Sequence, residues 1–92
     1  MQAVPGVITL PANTCRLIFS VPIKQLHNVV IKAAGTLNIG GADVQTDNGV
    51  PMENGDVAAY SWQDFRPDED SELKLYGIAA VETTVTYLIM RR

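Results

Sequence analysis

The chain has little of what enzymes and metal centres are built from: among its 92 residues are one cysteine, one histidine and one tryptophan. With Cys15 alone, an internal disulfide is excluded. Cys15 opens the apolar run Cys15-Arg16-Leu17-Ile18-Phe19, where a thiol serves as a small hydrophobe. A catalytic thiol needs a cationic neighbour and a histidine, and nothing in the sequence places His27 beside it. His27 by itself reads as a surface or capping histidine. There is no Gly-x-Ser-x-Gly, no phosphate-loop pattern and no cysteine pair for zinc. The expectation is a non-enzymatic protein with no catalytic residue, no cofactor and no metal. Positive charge is scarce as well: 7 Lys and Arg stand against 10 Asp and Glu, net −3, whereas nucleic-acid binding needs clustered cations. No apolar run reaches the length that spans a bilayer. The opening Met-Gln-Ala-Val-Pro-Gly lacks the basic and long apolar regions of a signal peptide. Synthesis in a cytoplasm, with no membrane partner, is therefore expected.

Long stretches free of helix breakers are also missing. Gly and Pro recur at Pro5-Gly6, Pro11, Pro22, Gly35, Gly40-Gly41, Asn48-Gly49, Pro51, Asn54-Gly55, Pro67 and Gly77, which leaves no room for a long helix. Helix fits only as a turn, at Ile23 to Leu26 or Asp68 to Glu72. Between the breakers lie short runs of β-branched and aromatic residues that predict strands at 7–10, 16–21, 28–33, 37–40, 57–62, 73–80 and 83–90. In the last of these, Val85, Tyr87 and Ile89 share one face, opposite Thr84, Thr86, Leu88 and Met90. Val81-Glu82 reads as a hairpin-like link between the last two strands. The predicted fold is all-β, a small antiparallel β-sandwich or barrel of about seven strands in a single domain over 1–92. Its apolar content of 47% suffices for a core. Residues 1–6 are expected either to fray or to extend as an N-terminal arm.

Eight of the ten acidic residues lie between Glu53 and Glu82. The run Asp68-Glu69-Asp70-Ser71-Glu72, and Asp43 with Asp47 and Asn48, offer oxygen ligands, but neither has the spacing of a calcium loop, and solvated acidic loops are the default. Tyr60, Trp62 and Phe65 bring aromatic surface together, suited to a core, a protein interface or a sugar. The candidate contact residues are Met1, Gln2, Ala3 and Val4 in the arm, Tyr60, Trp62 and Phe65, and the terminal pair Arg91 and Arg92.

One stretch carries a pattern. Within the stretch from Val29 to Met90, about two-thirds of the chain, Ile39-Gly40-Gly41, Val44-Gln45-Thr46, Asn48-Gly49-Val50-Pro51-Met52, Asn54-Gly55-Asp56 and Leu75-Tyr76-Gly77-Ile78-Ala79 follow one another. The order resembles that in a family of small bacteriophage structural β-domains. Gly40-Gly41 would permit a bulge or a positive-φ turn, and the Asn-Gly pairs suit tight turns. The resemblance implies a virion protein, a capsid decoration or cement protein on the phage particle surface. Its partner would be the major capsid protein, with self-association into an oligomer as a further option. A tail or head-vertex component, or a carbohydrate-binding module for host surfaces, is the alternative expectation.

Overall fold

A computed structural model describes residues 2–45, 48–61 and 71–92. The strands are β1 (Gln2–Leu10), β2 (Arg16–Pro22), β3 (Leu26–Ala33), β4 (Leu37–Gly40), β5 (Val50–Met52), β6 (Val57–Ser61), β7 (Glu72–Ile78) and β8 (Thr83–Arg91). A single 3-10 turn, Ile23–Gln25, links β2 to β3 at one of the two places where the sequence leaves room for helix. Two four-stranded antiparallel sheets form, ordered β1-β8-β3-β6 and β2-β7-β4-β5. They face each other as a sandwich, not a closed barrel.

The order follows one rule. β1 pairs with β8, β2 with β7, β3 with β6 and β4 with β5. The chain is thus one long antiparallel ribbon, doubled back at the segment between β4 and β5. The ribbon rolls up through two further pairings, β3 with β8 and β4 with β7. Eight strands wound in this way make a jelly roll, which leaves edges only at β1, β6, β2 and β5.

Three features differ from the sequence reading. Residues 2–6 are not a loose arm. They are the first half of β1, in register with β8 from Gln2 against Arg91 to Leu10 against Thr83. Pro5-Gly6 reads as a breaker, yet β1 is an edge strand, where proline removes no ladder bond that a neighbour needs. Pro51 lies within β5 for the same reason: β5 pairs only with β4, and the sequence reading has no strand there. Finally, β7 and β8 do not form a hairpin. They lie in opposite sheets, and residues 79–82 cross between them. The Ala79 carbonyl accepts from the Asn13 amide at 2.7 Å and Ala79 bridges Ala12, which ties the crossing to the β1–β2 link.

The core lies between the sheets, with Leu10, Leu26, Val29, Ile31, Ile39 and Val85 fully buried. On β8 the predicted division holds: Val85 and Ile89 are buried, and Thr86 and Leu88 are exposed. In β2 both Ile18 and Phe19 are buried because the register with β7 slips between Leu17 and Phe19. An extra residue there breaks the two-residue alternation, so neighbours turn to the same side. Cys15 precedes β2 and is half-buried; its thiol reaches the Ala42 carbonyl at 3.6 Å.

The glycine-rich pattern builds turns. Neither Gly40 nor Gly41 adopts a positive φ; Gly49 and Gly55 do. Asn38, on β4, holds the loop that follows. Its Nδ2 donates to the carbonyls of Gln45, at 3.1 Å, and Asn48, at 2.7 Å. The Asn48 side chain accepts from the Gln45 amide at 2.7 Å. Val44 is buried beneath this loop. Asn38→Ala, which removes these two side-chain bonds among others, should destabilise the fold by about 1–2 kcal/mol, read from the urea midpoint.

Candidate functional site

Register puts the outward side chains of the β1-β8-β3-β6 sheet into rows. One row is Pro5, Leu88, Val30 and Ala59, apolar on all four strands. The row on one side is Val7, Thr86, Lys32 and Val57; on the other it is Ala3, Met90, Asn28 and Ser61. Val7 is 68% exposed, Val57 59% and Leu88 38%. A shallow hollow of about 170 Å³ is lined by Leu88 with Val30, Lys32, Thr86 and Tyr87. Lys32 is the one charged side chain on these rows. The outer side of the other sheet is more polar: Ser20, Glu72 and Lys74 stand there, and the Ser20 hydroxyl donates to Glu72 at 2.9 Å.

One end of the same sheet gathers most of the sequence-derived candidates. Gln2 lies opposite Arg91, and Arg91 opposite Leu26. Val4, Ile89, Val29 and Tyr60 form the next inward row across the four strands. Gln2 and Ala3 are exposed, whereas Val4 and Tyr60 are half-buried and pack against the core. Tyr60 thus acts first as a packing residue. Arg92 is exposed, and its amide donates to the Gln25 carbonyl at 2.7 Å. Met1, Trp62 and Phe65 lie outside the described residues, as does most of the acidic run from Asp64 to Glu72.

Between the edges of β1 and β2 the sandwich opens into a cavity of about 210 Å³. Val4, Phe19, Val21, Tyr87 and Ile89 supply its apolar wall, with Ser20, Pro22 and Arg91 completing the lining. The rings of Phe19 and Tyr87 meet at 5.5 Å between centroids. Sequence reasoning found Val4 and Arg91 but missed Phe19, Tyr87 and Ile89, because those read as core positions. On the outward row of β3, Asn28 Oδ1 is buried with no hydrogen-bond partner among the described residues. A wider depression of about 340 Å³ at the other end is lined by Ala34 to Asn38 and Ile78 to Thr83, with Glu82 its one acidic side chain.

His27 is exposed on β3, at the point where its register with β8 slips. Among the described residues no group of three or more His, Cys, Asp or Glu side chains is placed to hold a metal ion. The Asn48 carboxamide oxygen, a possible cation ligand by sequence, is committed to the Gln45 amide. No helix among the described residues is long and apolar enough to cross a membrane. What these surfaces offer chemically is apolar contact area with a single cation beside each, Lys32 on the outer rows and Arg91 at the cavity.

No family model and no curated protein matches the chain. Among solved structures it is similar to the solution NMR structure of a de novo designed double-stranded β-helix, at 13% identity and a TM-score of 0.54, covering 97% of this chain and 99% of that one. At that identity the likeness concerns the fold alone, a doubled ribbon wound into two sheets, in agreement with the strand pairing.

Proposed function

We propose that this chain is a non-enzymatic structural protein of a bacteriophage particle, a decoration or cement protein that binds the assembled head. The observation that carries the reading is the convergence of Val4 and Arg91, from opposite ends of the chain, on one apolar cavity at the open end of the sandwich. The sequence resemblance supplies the biological setting. An apolar side chain of the major capsid protein would enter between Phe19, Val21, Tyr87 and Ile89, with Arg91 meeting a carboxylate or carbonyl at the rim. Arginine beside an apolar anchor pocket is a common arrangement at the energetic centre of interfaces. The mechanism is passive. Whatever binds the assembled shell and not its separated subunits stabilises the shell by mass action.

The test is co-sedimentation of the purified chain with particles or empty shells from its source, counting copies per shell. Saturable binding at many copies is expected. Arg91→Glu should weaken it by about tenfold or more, the scale of a lost rim charge that becomes a repulsive one. Binding at only a few copies would move the protein to a tail or vertex position. No binding would end the cement reading. The carbohydrate-binding expectation turned on Trp62, which lies outside the described residues.

A further inference from the structure

We infer that the outer face of the β1-β8-β3-β6 sheet is a self-association surface, on which a second copy of this chain packs face to face about a two-fold axis. The row Pro5, Leu88, Val30 and Ala59 crosses all four strands, with Val7 and Val57 at the flanks 68% and 59% exposed. Scattered apolar residues on a surface need no explanation, but a continuous row across a whole sheet does.

Three observations select a second copy as the occupant. The first is charge. The chain carries net −3, so two copies repel at most approaches. These rows hold no carboxylate and one cation, Lys32, so two copies meeting here bring no acid of the described residues onto the contact rows. A two-fold axis through the apolar row sets the two Lys32 side chains on opposite flanks, where their heads stay in water while their stems cover apolar surface. The second is shape. An isologous contact needs a knob and its hole on the same face. Leu88, 38% exposed, forms one wall of the hollow of about 170 Å³ that Val30, Lys32, Thr86 and Tyr87 also line. A two-fold axis near that point seats the second copy's Leu88 in this hollow and returns the favour to the other side. The third is area. Four strands about 4.8 Å apart and three rows about 6.8 Å apart make a face on the order of 400 Å² in projection. Two such faces bury roughly 800 Å² or more once side-chain relief is counted, below the roughly 1,200–2,000 Å² of stable interfaces, which sets the expectation at a weak, reversible dimer. Face-to-face sheets about 10 Å apart are an established packing.

The dimer stands or falls separately from shell binding, because the cavity and the outer hollow share only Tyr87 among their lining residues. Sedimentation equilibrium on the full chain, from about 1 µM to about 1 mM, reads it directly. The expected result is a monomer–dimer equilibrium within that range. Leu88→Lys places a second cation in the centre of the face, and should raise the dissociation constant at least about thirtyfold. Val81→Lys, at a 73% exposed position off the face, should leave it unchanged. The circular dichroism and melting temperature of each variant report whether it is folded. If Leu88→Lys fails to fold, Val7→Lys at the exposed flank takes its place, with a rise of at least about fivefold expected. A monomer throughout the range overturns the inference. So does a dimer that Leu88→Lys, or its substitute, leaves intact, or one that Val81→Lys weakens equally.

Discussion

Gly49→Ala should lower stability by about 3 kcal/mol, whereas Gly55→Ala, a substitution at almost the same backbone angle, should cost only about 1 kcal/mol. Both glycines lie in the left-handed region, Gly49 at φ +85° and Gly55 at φ +89°. An alanine at either site carries the left-handed strain, offset in part by its smaller loss of chain entropy on folding. They differ in what surrounds the new methyl. At Gly55 nothing lies within 4 Å. At Gly49 the methyl would stand 2.6 Å from the Ile39 carbonyl oxygen and 2.7 Å from a Val44 methyl. The Ile39 oxygen is backbone of β4, a strand held on both sides, and Val44 is buried, so neither gives way cheaply. For a domain of this size each kcal/mol moves the melting temperature by about 4–8 °C. Scanning calorimetry of the two variants should therefore show Gly49→Ala melting at least about 8 °C below Gly55→Ala. Equal melting temperatures would mean that the loop over Val44 relaxes freely and that the Asn38 hydrogen bonds do not hold it.

Gly6→Val should destabilise the protein by about 2–3 kcal/mol, despite the preference of strands for valine. A Cβ at Gly6 would fall 2.2 Å from Tyr87 Cζ and 2.4 Å from its hydroxyl oxygen. Gly6 and Tyr87 are register partners on β1 and β8, and the ring occupies the space that a side chain at position 6 would fill. The ring could swing away only by abandoning its contact with Phe19 and its place in the cavity wall. Tyr87→Leu should then rescue: the double variant is expected to recover at least about 1 kcal/mol of the loss, as coupled neighbours do. Chemical denaturation of the four proteins measures the coupling. Simple additivity would show that the ring leaves without consequence. The same pair bears on the proposed function, because a displaced Tyr87 reshapes the cavity at the open end, and Gly6→Val should weaken shell binding along with stability.

Much of the fold is legible in local patterns. The breakers exclude long helices, and Val85, Tyr87 and Ile89 declare the inward face of β8 by alternation alone. The positive-φ turns at Gly49 and Gly55 follow from Asn-Gly pairs, since the energetic preference is local to the residue. Local rules fail where a residue's role depends on its neighbours across the sheet. Pro5 and Pro51 look like breakers until β1 and β5 prove to be edges. Val81-Glu82 looks like a hairpin link until β7 and β8 prove to be in different sheets. Ile18 and Phe19 look like opposite faces of one strand until the slipped register turns both inward.

The candidate site divides along the same line. Composition by itself shows one cysteine, one histidine and 7 Lys and Arg against 10 Asp and Glu, and position at the chain ends singled out Val4 and Arg91 as contact candidates. Only the tertiary structure decided that these two residues share a cavity with Phe19, Tyr87 and Ile89, and that Pro5, Leu88, Val30 and Ala59 form one apolar row. The reason is that alternation marks which residues share a face of one strand, whereas register between strands is set by pairing partners far apart in the chain. Gln2 meets Arg91 because the whole ribbon doubles back and rolls, and no window of neighbouring residues contains that pairing.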